Sequence, residues 1–380
     1  MRIPRLIFIA AIAASSAVRA QTTATTEPVG FNSINCLGNS DTRYSSPLHR
    51  VTSYQGLVQS VSGNVLTVQG TPGWTANQFV YVQGTQSNTY YLSVGTGNKV
   101  GMYYTITANS VDSGTANTST LTVDTAGDTI SGAGGLVVGD TLRIIPFWTF
   151  VTLFPGQAGI TGTTSAGGTG PATKVLFPNL TSAGINLAPS SPYFYYTGLG
   201  GTGPSWRRSG AGSARMDDVV IPPDVYLIIR QDSIGAATVQ TATGVVSTNS
   251  QKYVLTTGAT IPSLTAQDNA IAIEVPVPMT LSESQLFESG AFAGTASSGG
   301  GSGGDRLLVY DDATALYNKS AALYFYYTGT GSSWRRVGGG SANMNAVQIF
   351  QPGRGYIIRK AAQAGNATTI IWSFTPSYAQ

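Results

Sequence analysis

Two stretches of this chain repeat one another. Tyr193-Phe194-Tyr195-Tyr196-Thr197-Gly198 returns as Tyr324-Phe325-Tyr326-Tyr327-Thr328-Gly329. Trp206-Arg207-Arg208 returns as Trp334-Arg335-Arg336, Gly212-Ser213-Ala214 as Gly340-Ser341-Ala342, and Ile228-Ile229-Arg230 as Ile357-Ile358-Arg359. Upstream, Leu142-Arg143-Ile144-Ile145-Pro146 parallels Ile271-Ala272-Ile273-Glu274-Val275-Pro276, and Val175-Leu176-Phe177 parallels Leu307-Leu308-Val309. Two copies are too few for a solenoid, which needs about three or more repeats. Each copy must therefore build its own core or share one with its twin.

The repeated segments are β-prone. So are the runs before them: Val65-Leu66-Thr67-Val68, Phe79-Val80-Tyr81-Val82, Tyr90 to Val94, Tyr103 to Ile106 and Thr120 to Val123. Each is rich in Val, Ile, Thr or Tyr and is punctuated by Gly or Asn, the pattern of short strands joined by turns. The expected fold class is all-β: mostly antiparallel sandwich-like or barrel-like units with an internal duplication and only short helices. The best helix candidate is Thr280-Leu281-Ser282-Glu283, with capping-box spacing ahead of Gln285-Leu286-Phe287. Gly/Ser/Thr runs at Thr161–Gly170 and Ser297–Gly304 sit at matching places inside the copies and read as loops.

The first twenty residues are set apart. A basic start, an apolar run from Leu6 to Ala17 and Val18-Arg19-Ala20 before Gln21 match a secretory signal peptide cleaved after Ala20. The expected division is residues 1–20 signal peptide, 21–55 extended arm, 56–138 N-terminal β domain, 139–235 first repeat unit and 236–380 second repeat unit. Of 20 basic residues, Arg2, Arg5 and Arg19 lie in the signal, which leaves 17 against 17 acidic ones. That balance argues against nucleic-acid binding, which needs clustered Lys and Arg to neutralise phosphates. Charged residues are only 10% of the chain, against about 25% in ordinary domains. Such a surface repels its own copies weakly. Cys36 is the sole cysteine, so no internal disulfide is possible.

In the repeated aromatic–arginine unit, strand alternation puts Tyr193 and Tyr195 on one face and Phe194 and Tyr196 on the other. One reading makes the rings core, with arginines stacked on their faces. The other makes them a carbohydrate-binding platform of Tyr195, Trp206, Arg207, Tyr326, Trp334 and Arg335. Catalytic equipment is sparse. His49 is the only histidine, no Cys/His cluster has zinc spacing, and no loop has the calcium pattern. No catalytic residue, metal site or cofactor is expected. Asp217-Asp218 and Asp311-Asp312 are the visible carboxylate pairs, but Asp217 falls on Asn345 in the second copy. Neighbouring strand residues also point to opposite faces, so neither dipeptide alone makes a facing dyad.

The chain resembles a family of secreted, β-rich bacterial proteins that is multiplied within some genomes. The resemblance lies in Thr25-Thr26-Glu27-Pro28-Val29-Gly30-Phe31, Ser46-Pro47-Leu48-His49-Arg50, Gly56 to Asn64, Gly139 to Ile144 and Trp206-Arg207-Arg208. It implies export and a β-rich fold, and brings no activity, cofactor or binding residue with it. The expected function is a secreted, non-enzymatic structural or surface protein whose partner is its own copies. Binding of extracellular polysaccharide is the alternative and a carboxylate-based glycoside hydrolase the remote one. No membrane-spanning segment is expected after the signal.

Overall fold

Alternating burial makes strands of the region after the arm. In Val65–Val68 and Thr120–Asp124, Leu66, Val68, Leu121 and Val123 turn inward and Thr67 and Thr122 turn outward. The structure, a computed structural model, describes residues 27–259, 265–301 and 303–379. The expected signal peptide lies outside those residues. Six antiparallel strands close into a barrel in the order Tyr54–Ser62, Val65–Val68, Thr120–Asp124, Tyr103–Asn109, Tyr90–Val94 and Thr141–Pro146. Leu66, Leu92, Ile106, Leu121, Val123 and Ile144 fill its interior. Tyr91 and Ile145 break the alternation: they point outward yet are buried, packed with Phe147 and Val220 where the barrel meets the rest of the chain.

The rest consists of two five-stranded antiparallel sheets with one topology. The first runs Ser205–Arg208, Tyr193–Tyr196, Ala172–Leu176, Leu227–Asp232, Asp41–Tyr44. The second runs Ser333–Arg336, Ala321–Tyr327, Arg306–Tyr310, Gly355–Lys360, Gln267–Ala272. The registers agree as well. Tyr195 pairs with Trp206 as Tyr326 pairs with Trp334, and Arg230 pairs with Asp41 as Arg359 pairs with Asp268. A two-stranded ribbon shares the core of each sheet: Val29–Cys36 with Thr238–Val245 in the first, Gln251–Thr256 with Thr369–Phe374 in the second. The chain is all-β. Among the described residues the one α-helix is Phe150–Leu153.

Several sequence expectations need correction. Phe79–Val82 forms turns rather than a strand. Thr238–Val245, expected in the second unit, pairs with Val29–Cys36 and belongs to the first. Thr141–Pro146 belongs to the barrel, not to the first repeat unit; its sequence match, Ile271–Pro276, only begins at the end of the second sheet's edge strand Gln267–Ala272, whose place in the sheet Thr141–Pro146 does not take. The counterpart of Gln267–Ala272 is Asp41–Tyr44, from the stretch expected to be an extended arm. The first unit is thus discontinuous: strands from the arm open it, and the barrel is inserted before it resumes at Trp148. The apolar pattern of 141–146 suits a barrel strand as well as a sheet strand, so periodicity alone does not separate them. At 280–290 the structure has successive turns rather than a helix. The reciprocal capping bonds do form, Thr280 N–H to Glu283 Oε2 at 2.8 Å and Glu283 N–H to Thr280 Oγ1 at 3.1 Å.

The two units grip each other through a reciprocal pair of contacts. Arg230 clamps Asp41 with two bonds of 2.7 and 2.9 Å, and a loop of the second unit completes the site. There Asn318 N–H donates to Asp41 Oδ2, Asn318 Oδ1 accepts from Arg230, and Leu316 C=O accepts from Asp41 N–H. The mirror image lies opposite. Arg359 clamps Asp268 at 2.7 and 3.0 Å, and the first unit's loop supplies Asn186 N–H, Asn186 Oδ1 and Gly184 C=O. Asn186 and Asn318 both have positive φ, 52° and 47°, a conformation asparagine tolerates better than most residues.

Candidate functional site

The repeated aromatic–arginine motif is architecture. Trp206 and Trp334 are both 0% exposed, so neither indole offers a face to a sugar. Trp206 packs against Phe150, Phe154 and Tyr195; Trp334 packs against Phe292 and Tyr326. On the opposite sheet face Arg207 lies 3.6 Å from the centre of the Tyr196 ring, and Arg335 lies 3.8 Å from that of Tyr327. Both guanidinium groups are buried, and the Arg207 fork also donates to the Gly200 and Gly203 carbonyls. The platform is therefore corrected at Trp206, Arg207, Trp334 and Arg335. Their alternation directs the tryptophans into the core and the arginines under a covering loop.

The glycine-rich runs cover the same sheet face. Gly168 and Gly300 lie over Phe194 and Phe325. A Cβ at either position would fall 2.5 or 2.6 Å from a ring carbon, and both glycines have positive φ.

The Asp217/Asn345 mismatch also has a structural reason. Asp217 Oδ1 accepts the Trp206 backbone N–H at 2.9 Å, and Asn345 Oδ1 accepts that of Trp334 at 2.8 Å. Either side chain caps the outer strand edge. The second Asp217 oxygen accepts from Arg215 Nε at 2.7 Å. Of the other pair, Asp312 sits buried beside Lys319 and Arg354, and Asp311 accepts from Ala313 N–H and the Thr314 hydroxyl. His49 is buried, its Nδ1 bonded to the Arg50 carbonyl, and burial lowers its pKa.

Tyr195 and Tyr326 have different surroundings. Tyr326 is stacked face to face on Phe287, with centroids 3.5 Å apart and planes 6° off parallel. Tyr195 lines an open cleft of about 700 Å³ between the barrel's 81–87 loop and the first unit. Tyr81, Val151, Gln157, Arg215 and Asp218 line it too. The Tyr81 hydroxyl lies 3.5 Å from Asp218 Oδ2. Burial, and then the neighbouring Asp217 charge, raise the Asp218 pKa.

A second feature lies where all three bodies meet. The barrel supplies Tyr103, the first unit Asp224 and the second Glu274. Tyr103 Oη donates to Asp224 Oδ1 at 2.7 Å. Burial, helped by the Asp224 charge, pushes the Glu274 pKa up to about 8. Asp224 also opens onto a cavity of about 500 Å³ lined by Tyr104, Asp128 and Lys252. Sequence reasoning missed this junction, although Glu274 was visible as a lone charge inside the run Ile271 to Val275. It likewise missed the Asp41–Arg230 and Asp268–Arg359 clamps, whose partners are distant in the chain.

Among the described residues, no group of three or more His, Cys, Asp or Glu side chains gathers at metal-binding distance, and no helix is long and apolar enough to cross a membrane. No family model, curated protein or solved structure matches the chain.

Proposed function

We propose that this chain is a non-catalytic structural protein of the cell exterior, a surface or matrix component that associates with its own copies. The supporting observation is that the tryptophans and the first arginine of each copy of the duplicated motif are spent on packing. Its indoles are core, Arg207 and Arg335 lie on tyrosine rings, and its outer strand edges are capped by Asp217 and Asn345. The inner edges are taken by the partner unit's loops. Capped edges disfavour strand-to-strand polymerisation, so association runs through side-chain faces. The outer face of the first ribbon suits this role: Phe31 is 73% and Val239 54% exposed, set among Ser33, Thr241 and Thr243. Low charge density leaves little repulsion to oppose it. The signal-like start and the N-terminal resemblance support the exterior location.

Sedimentation velocity of the chain from Gln21 onward, from micromolar to near-millimolar, tests the proposal. Mass should grow with concentration, and Phe31→Asp should abolish the growth. A wild-type chain that stays monomeric throughout would rule out the self-associating role.

A further inference from the structure

We propose that the cleft between the barrel and the first unit binds a neutral or amino-sugar residue of an extracellular polysaccharide, stacked on Tyr195. The molecule supplies its own reference for this site. The two units match on both sides of the relevant stretch: Thr149 and Thr152 cap one turn as Thr280 and Glu283 cap the other. Further on, Thr163 bridges Tyr196 as Thr295 bridges Tyr327. Between these anchors the second unit places Phe287, whose ring covers the face of Tyr326. The corresponding turn of the first unit, Pro155–Gln157, contains no aromatic residue. Tyr195 keeps the same strand position and the same edge-on packing, against Trp206 instead of Trp334. The covering ring has been replaced by a cleft.

The cleft's other walls define the chemistry of the missing ring. A hydrocarbon ring would need an apolar enclosure. Here Val151, Met216 and Val219 share the wall with the phenol of Tyr81, the amide of Gln157, the guanidinium of Arg215 and the carboxylate of Asp218. A sugar satisfies both demands: its C–H face packs on an aromatic ring, and its hydroxyls exchange hydrogen bonds with polar groups at the rim. Arg215 is already paired with Asp217 at 2.7 Å, which leaves the Asp218 carboxylate as the uncompensated charge. An acidic sugar is therefore disfavoured, and a neutral or amino sugar is accepted. The barrel insertion supplies Tyr81, so only the first unit has this cleft wall. The site does not depend on self-association: a monomer would carry it equally.

Isothermal titration calorimetry of the chain from Gln21 onward tests this with four soluble hexasaccharides, of glucose, N-acetylglucosamine, glucosamine and galacturonic acid. At least one of the first three should bind more tightly than the galacturonate. Tyr195→Ala should weaken that binding at least tenfold, whereas Tyr326→Ala should change it less than twofold. Val151→Trp, at an exposed position on the cleft wall, fills the space without touching the core and should abolish binding with the thermal melt unchanged. It decides the matter if Tyr195→Ala does not fold. No binding of any neutral or amino sugar, preference for galacturonate, or binding that survives Val151→Trp would each overturn the proposal.

Discussion

At the scale of single residues, one side chain explains how a repeat drifts without losing its fold. Asp217 and Asn345 differ in charge but share the acceptor oxygen that holds a tryptophan backbone N–H. Asp217→Asn keeps that oxygen. It loses only the pairing with Arg215, whose side chain is 52% exposed, and exposed pairs contribute about 0–1 kcal/mol. Asp217→Ala leaves a buried N–H without a partner, which costs about 1–3 kcal/mol. Urea unfolding should show the asparagine variant close to wild type and the alanine variant clearly below it. Equal losses would mean that the charge, not the acceptor, matters.

At the scale of elements, strands and loops are exchanged between distant parts of the chain. The arm's Asp41–Tyr44 completes the first sheet, and loops around Asn186 and Asn318 cross to the opposite unit. Both clamps join an aspartate that is less than a tenth exposed to an arginine that is about a quarter exposed. Removing one partner of a fully buried pair costs about 3–5 kcal/mol. With the arginines part-solvated, Asp41→Ala and Asp268→Ala should each cost about 2 kcal/mol. The two losses should be similar because the registers are the same. Urea midpoints check this, and an effect confined to one site would break the proposed equivalence.

For the whole molecule, the three bodies meet on protonatable groups. Glu274 has an ordinary pKa of 4.5 that rises to about 8 in the folded state, first through burial and then through the Asp224 charge. Its protonated form favours the assembled junction. That contribution is fully present below about pH 4.5 and is lost progressively as pH rises toward 8. Denaturant unfolding at pH 5 and pH 8 should show wild type less stable at the higher pH, and Glu274→Gln should flatten the difference. An unchanged slope in the glutamine variant would remove Glu274 as the source. The inserted barrel is held here by outward-facing Tyr91, Ile145 and Phe147, so the junction couples barrel docking to contact between the units.

Most strands were legible in the sequence, because alternation and β-branched residues act locally; Phe79–Val82, equally β-prone, forms turns instead. Legible too was the equivalence of the two Tyr–Trp–Arg segments, whose identical register follows from identical residues. Whether those rings were core or surface was not legible. Aromatic strands read the same until something covers them, and the covering loops and the Phe150 turn come from elsewhere in the chain. Boundaries failed for the same reason: the strand at Thr141–Pro146 resembles a repeat strand, and only its hydrogen-bond partners place it in the barrel. The Tyr195 cleft was invisible too, since it consists of an absent ring and a wall lent by the barrel. Local pattern set most strands of this protein. Which strands became neighbours, and hence which tyrosine stayed uncovered, was decided by long-range pairing that no single segment encodes.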